Sequence, residues 1–494
     1  MTKGFIRYQI KNGVEYAAIN KAKRIGGRKI NEVEWLGRVI DKEKGIYQSR
    51  ERGTFTFSFE SGVTEMSLVR NEKLILEFGD SYLLHEILAR SGFLSLIREV
   101  FEEQADVLLS LVFYKTLLGG ANRYAKNWWD GSYGRILFPN ARLASQRISE
   151  AYKLFGDERL QRRFFRKYLA YISPKSKSKS RNGLLIDSTG LPNDISIPLT
   201  AIKNHNGTVS NEAKLILVLE RKGGMPIYFR YAAGNIVDVS TLESTIAEVR
   251  AYDIEVGHAI IDAGYFSEKN IKAMHGSKIS FILRMPANRK LYKDLVGAHK
   301  STLESAEHLV KYGDRFVYIK RVAINLYGHK CYAYVAKDIN RSHDETKRYI
   351  LENYDNKDIT PEEMDAAIQS KGLFVLVSSQ RVEPRNILPL YYQRTAIEQV
   401  FDISKHNADL LPLRVHSEDA FRGHLLLSFI TSVAYLIVNK ALKGSNVCAQ
   451  GAWRILRNLR CKVFDDSFIV QEADKQMNDI AKHVKISFPV KQSL

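Results

Sequence analysis

Apolar positions along the chain change period twice, and each change marks a new kind of element. Residues 14–19, 33–40 and 54–59 alternate between apolar and polar, separated by Gly26-Gly27, 42–45 and Gly53. Period-two runs between glycine breaks predict a small antiparallel β region over 1–60. From Ser81 the spacing becomes helical: Leu83, Leu84, Ile87 and Leu88, then Phe93, Leu94 and Ile97, then Val107, Leu108, Leu111 and Val112. A stretch rich in glycine and aromatics, 119–134, breaks this pattern, and basic helices are predicted over 140–155 and 157–171. Asn140 is the expected cap of the first, whose Arg142, Gln146 and Arg147 point outward. The second carries Arg159, Arg162, Arg163, Arg166 and Lys167. Residues 80–172 therefore read as a helical, DNA-binding region, with Arg142, Gln146 and Arg147 as expected DNA contacts, because Arg and Gln suit phosphates and base edges alike. A solvated basic face is the plainer alternative.

Residues 173–181, SPKSKSKSR, have nothing to bury and read as a flexible basic linker. Beyond them the pattern is α/β. Strands are predicted over 184–189, 213–220, 225–231, 258–262 and 279–283, with Lys222-Gly223-Gly224 as a hairpin turn and helices over 241–252 and 267–274. Three strands, helix, strand, helix, strand is the order of ribonuclease-H-like domains, at the level of fold analogy. A hairpin over 316–336 turning at 327–330, an acidic helical stretch over 342–370, a strand over 373–378 and a long helix from about 386 complete this part. The apolar run 425–438 contains Ser428, Thr431 and Ser432 and is too short to span a bilayer, so a buried helix is expected there and no membrane partner. The last segment, 441–494, reads as a C-terminal helical region.

Composition changes this picture in one respect. Lys and Arg number 74 against 55 acidic residues, a formal net charge of +19. Such an excess favours a polyanionic partner, because neutralised phosphates release counterions. Hydrophobic residues at 45% suit folded cores rather than a disordered tail. Cys331, Cys448 and Cys461 show no CxxC spacing, which argues against a zinc site or a disulfide framework and fits a reduced cytoplasm. The first residues, MTKGFIRYQIKNG, lack the apolar core of a signal peptide.

Candidate chemistry rests on carboxylates in unusual places. Asp187 interrupts the apolar run Leu184-Leu185-Ile186, and Asp262 ends Ala259-Ile260-Ile261. Burying a charge in a strand costs several kcal/mol unless something pairs with it. One such Asp is readily satisfied by a turn or an Arg; two in one domain call for a shared cation or a strong network. A third acid, Glu398, lies on the helix after 386. At about 100° per residue, Tyr391, Arg394, Glu398 and Lys405 fall on one face, and Ala396, Ile397, Val400 and Ile403 on the other. Asp402 lies near the polar face and is a reserve ligand. His205, Arg284 and His424 are weaker candidates, read as a turn residue, a sheet-edge cap and an interior histidine.

The spacing Tyr391, two residues, Arg394, three residues, Glu398, six residues, Lys405 resembles the Tyr-Arg-Glu-Lys signature of bacterial insertion-sequence transposases with an Asp-Asp-Glu site. More narrowly, it is similar to the insertion-sequence-four superfamily and its branch named for insertion sequence sixteen-thirty-four. Ile-Asp-Ser-Thr around Asp187 and Asp-Ala-Gly-Tyr around Asp262 resemble that group's first two catalytic motifs. The resemblance covers about residues 80–440. It implies a ribonuclease-H-like catalytic core over 182–284 and 372–440, and a mostly β insertion over 285–371. It implies Asp187, Asp262 and Glu398 as catalytic metal ligands, with Tyr391, Arg394 and Lys405 as DNA contacts.

The expected chemistry uses two Mg²⁺ ions, Mn²⁺ being a possible substitute, to cleave element ends and join the 3′-hydroxyl to target double-stranded DNA. Handling two ends in one event favours a homodimer on DNA. A nuclease that cuts without joining, a DNA-binding descendant without catalysis and a basic structural or RNA-associated protein are the competing readings. The last explains the charge but not the strand-borne acids.

Overall fold

The structure is a computed structural model of the 494-residue chain. It describes residues 4–493 except 12, 26–27, 50–52, 61, 66–72, 173–181, 194–196, 206–207, 237, 357, 412 and 414. The linker 173–181 and the Gly26-Gly27 turn thus lie outside the described residues. The chain divides into two compact units, one of residues 1–77, 459–473 and 488–494, the other of 78–458 and 474–487.

In the first unit an antiparallel meander runs through Phe5–Lys11, Val14–Ile25, Arg28–Asp41, Ile46–Ser49, Gly53–Ser58 and Gly62–Glu65. Six strands stand where alternation predicts three. The strand Phe5–Lys11 leaves Phe5 and Ile10 exposed, and two others have only four residues, too few to display a period. Ala17, Ile19, Leu36, Tyr47 and Phe55 form the meander's core. A second sheet has the order Lys491–Ser493, Ser467–Val470, Arg460–Val463, Leu74–Glu77. This corrects the expectation that 441–494 is helical. Helices do occupy Ala449–Leu456 and Lys475–His483. Between them, however, buried Cys461 and Val463 alternate with exposed Arg460 and Lys462, a period of two that forms a hairpin.

The second unit is built on one large sheet. Its order is Pro226–Ala233, Thr208–Glu220, Asn182–Pro192, Val256–Ile261, Ser280–Met285, Leu373–Ser378, His329–Asp338, Arg315–Leu326, Leu309–Tyr312, with Ala201–His205 pairing off the path. Asn182–Pro192, Val256–Ile261 and Ser280–Met285 are parallel neighbours; the other pairs are antiparallel. Because side chains alternate across a strand, Leu184 and Ile186 face helices Leu242–Arg250 and Glu268–Gly276, with which they share a core. On the opposite face Phe229 packs against Phe165 and Phe429, from helices Glu158–Ile172 and Glu418–Ala441. The apolar run 425–438 is part of that 24-residue helix, and most of it is buried inside the unit.

The segment 285–371 is not mostly β. It holds helices Lys290–Leu303, Ile339–Asn353 and Pro361–Ser370, and its three strands continue the central sheet rather than forming one of their own. The reason lies in Leu373–Ser378, buried at all six positions. A strand covered so completely needs a hydrogen-bonded neighbour on both edges, and His329–Asp338 supplies the second. The hairpin's turn is where the sequence places it: Tyr327 and Gly328 both have positive φ, as a tight two-residue turn requires.

In the helical region Asn140 does not cap a helix. The first basic helix begins at Ser145, and the Asn140 amide donates instead to Asp106, in a loop after Phe138 whose Leu143 is buried. Helix Glu158–Ile172 is preceded by Asp157, which accepts from the Leu160 amide.

Helix Glu418–Ala441 crosses Ser145–Phe155 at close range. A Cβ on Gly423 would overlap the Tyr152 carbonyl. Gly423→Ala is therefore expected to destabilise the chain by about 1–3 kcal/mol, read from denaturant unfolding. A loss below about 0.5 kcal/mol would mean that the helices do not approach this closely.

Candidate active site

Asp187 and Asp262 are brought together by register. Ile186 pairs with Ile261 across two parallel strands, so the residue after each, Asp187 within its strand and Asp262 just past the end of its own, stands at the same level. On the other side Leu217 lies opposite Asp187. The carboxyl ends of adjacent parallel strands are where α/β sheets usually collect ligands. Period two then places Thr189 on the Asp187 side of its strand.

The third acid arrives on a segment less regular than the sequence predicts. Instead of one long helix from about 386, the chain runs as helix Pro384–Tyr391, a 3₁₀ turn Tyr392–Arg394, helix Thr395–Asp402 and a π turn Ile403–Asn407. Pro389 removes one N–H donor within the first helix. Ile397, Val400 and Ile403 are buried while Glu398 is exposed, as the periodicity requires.

Arg394 is the centre of the arrangement. Its Nη1 lies 2.7 Å from Asp187 Oδ2 and 3.6 Å from Asp262 Oδ2, and its Nη2 lies 2.8 Å from Glu398 Oε1. Three carboxylates from two strands and one helix thus meet on one guanidinium. Tyr391 Oη donates to Asp262 Oδ1 at 3.4 Å, and Lys405 Nζ donates to Thr189 Oγ1 at 2.6 Å. All four residues of the Tyr-Arg-Glu-Lys spacing and both strand acids therefore share one site. Among the described residues, no three Asp, Glu, His or Cys side chains form a ready-made metal cage; the acids are spread around Arg394.

Electrostatics follow from burial. Desolvation, opposed by Arg394, pushes the Asp187 carboxyl up to about 6, with Asp262 and Asp238 adding like-charge repulsion. Burial and then Asp262 raise the Tyr391 phenol, which keeps its proton and donates it. Burial lowers the Lys405 ammonium, with Glu212 opposing that shift.

The structure adds residues the sequence reading missed. Ser188 donates its amide to Asp187 Oδ1 at 2.9 Å and its hydroxyl to Asp238, which also receives Lys214 Nζ at 2.7 Å. Lys214 is buried just before the apolar run Leu215–Leu219 of strand Thr208–Glu220, and a lysine in that position is a legible sign of a buried acid nearby. Asp238 follows the strand Pro226–Ala233 in a short 3₁₀ turn, where nothing in the sequence marks it.

Other candidates stand apart. Asp402 is exposed and faces His406 at 3.6 Å rather than the triad. Arg284 lies over the Phe374 ring, and buried His424 reaches the Leu410 carbonyl at 3.1 Å. His205 ends the strand Ala201–His205, its side chain outside the described residues. Arg142, Gln146 and Arg147 are exposed in the helical region, Gln146 and Arg147 both bonded to Glu150.

The two aspartates, the glutamate and the arginine of this cluster all fall within the region whose class the sequence comparison identifies. Residues 178–434, just over half of the chain, match the family model described as the transposase DDE domain, and the chain belongs to that family. Among solved structures, it is similar to a piggyBac transposase in a synaptic complex with hairpin DNA, at 11% identity and a TM-score of 0.37, over 76% of this chain and 70% of that one. No curated protein matches it significantly.

The Asp187 shift has a measurable consequence. A carboxyl raised from 3.8 to about 6 on folding contributes stability below its unfolded value and loses it as pH rises through 6. Asp187→Asn, which carries no charge, is expected to be more stable than the parent by about 2 kcal/mol at pH 7.5, the gap closing by pH 4. Equal stability at both pH values would show that the carboxylate is not desolvated.

Proposed function

We propose that this protein is a DDE transposase that cleaves the ends of an insertion element and joins the freed 3′-hydroxyl to target DNA at the site of Asp187, Asp262 and Glu398. The observation that carries this reading is the convergence of three carboxylates on the Arg394 guanidinium. Like charges do not gather at this distance without a cation, and a fold that gathers them has invested several kcal/mol in doing so. The strand order, in which the first of five strands is central and only the second is antiparallel, supports a ribonuclease-H-like core.

The donor set fits divalent metal. Asp187, Asp262 and Glu398 offer only hard oxygen ligands of the kind Mg²⁺ or Mn²⁺ takes, and they already surround a positive group. When bound, such ions would neutralise charge on the phosphate and favour an ionised oxygen nucleophile. Arg394 holds the acids together at rest; once it swings toward DNA, its planar fork grips a phosphate. Lys405, beside Thr189, holds a second phosphate as a point charge, while the Tyr391 hydroxyl keeps Asp262 oriented. Water first opens the phosphodiester at the element end, and the released 3′-hydroxyl then attacks target DNA. The excess of Lys and Arg over acidic residues favours double-stranded DNA as substrate and product. The protein acts in the bacterial cytoplasm as a homodimer on DNA, since two ends are handled together.

The reading predicts that Mg²⁺ or Mn²⁺ at millimolar level raises the melting temperature of the parent and not of Asp187→Ala. Asp187→Ala and Glu398→Gln should each slow nicking of element-end DNA by about a hundredfold or more. Nicking by either variant at the parental rate would remove the assignment. If pre-cut 3′-hydroxyl ends are not joined to a second duplex, the protein is a nuclease without strand transfer.

A further inference from the structure

Another ion pair, of a buried lysine and a half-buried aspartate, joins helix Ala105–Leu117 to the residues after the π turn Ile403–Asn407. Lys115 lies in helix Ala105–Leu117, every residue of which is buried, and its side chain is 4% exposed. Its Nζ donates to Asp409 Oδ2 at 3.2 Å and to the Gly120 carbonyl at 2.8 Å. The Gly120 amide donates to the same Asp409 oxygen. Three left-handed residues make this fit possible: Gly119 at φ 72°, Gly120 at φ 94° and Asp409 itself at φ 48°. Asp is among the few side chains that tolerate that region, yet it still pays for it, and a buried ion pair is often no more stable than an apolar replacement. Structure of this kind persists where the surroundings over-determine it, commonly at functional sites.

What the pair holds is the far end of the segment that carries Glu398 and Lys405. On either side of Asp409, the Ala408 amide donates to the Ile403 carbonyl at 2.8 Å and the Leu410 amide to the Ser404 carbonyl at 2.9 Å. The Leu410 carbonyl is in turn bonded to His424, and Ser404 Oγ meets Ser432 Oγ at 2.9 Å. Both acceptor carbonyls belong to the π turn Ile403–Asn407, the element that aims Lys405 at Thr189 beside Asp187. A π turn is an uncommon conformation and recurs at functional sites.

We propose that Lys115 and Asp409 are positioning residues for catalysis: their ion pair clasps the segment 403–410 and so fixes Lys405, and with it the Glu398 helix, against the Asp187 strand. This rests on the transposase reading for its catalytic consequence, though not for the clasp. The pair couples the helical region around 105–120 to the active site through side chains rather than through the linker 173–181.

The test compares the full chain with Lys115→Met/Asp409→Asn. The double variant removes both charges at once, and Asn still tolerates a positive φ and can accept from Gly120; Lys115→Met alone would strand the aspartate and risk the fold. Amide hydrogen exchange over 403–410 is expected to rise about tenfold, with exchange in the strand Asn182–Pro192 unchanged. For Mg²⁺-dependent nicking of element-end DNA, kcat should fall about ten- to a hundredfold while KM stays within about twofold. Unchanged exchange over 403–410 would overturn the clasp. Faster exchange with an unchanged kcat, or a kcat loss that vanishes on cooling the assay, would overturn the positioning role. Should the parental chain cut no DNA, the transposase reading fails, and the exchange comparison still decides whether the clasp exists.

Discussion

Everything at this site follows from the repulsion between carboxylates that the sheet forces side by side. Register gives the chain no choice: with Ile186 opposite Ile261, Asp187 and Asp262 must emerge together. Coulomb repulsion at such range is unfavourable in water and far worse where Asp187 sits largely out of solvent. Arg394 resolves it in the resting structure by sharing one nitrogen between the two aspartates and giving the other to Glu398. The placement of the helix Thr395–Asp402 delivers that neutralisation, and the Asp187 carboxyl stays raised because desolvation outweighs it. Arg394 thereby belongs to the electrostatics of the site as much as to any grip on substrate. A lysine would not serve equally, because one point charge cannot address three separated oxygens in a plane.

The sequence was most informative where residues broke a rule. An aspartate in an apolar strand and an acid between two bases on an amphipathic helix are local conflicts, and conflicts of that sort concentrate at functional sites. Lys214 breaks the same rule, but it went unread until the structure paired it with Asp238. The parts not legible were those set by distant partners. Nothing in Arg460-Cys461-Lys462-Val463 says that its neighbour is Leu74–Glu77, nearly four hundred residues earlier. The hairpin over 316–336 was visible, but its membership of the central sheet depended on the second edge of Leu373–Ser378, and the strand Leu309–Tyr312 was not read at all. The π turn was likewise invisible, because it closes through the amides of Ala408 and Leu410, beyond residues 403–407.

Surface charge needs the same care. Of the basic residues on helix Glu158–Ile172, Arg163 and Lys167 are tied to Glu102 and Glu99. Arg162 bonds to Glu158 on its own helix, while Gln146 and Arg147 on the preceding helix share Glu150. Exposed pairs of this type contribute little to stability and exchange readily for stronger anions. They therefore leave the helical region able to meet phosphate, at the modest cost of releasing an intramolecular carboxylate for each contact made.

The continuity of the large sheet has a mechanical side. Because Leu309–Tyr312, Arg315–Leu326 and His329–Asp338 are hydrogen-bonded onward through Leu373–Ser378 to the aspartate-bearing strands, the outer hairpin cannot pivot as a separate lobe. The edge strands and the strands beside Asp262 and Asp187 are thus parts of one hydrogen-bonded plate, so a displacement at that edge must shear backbone ladders.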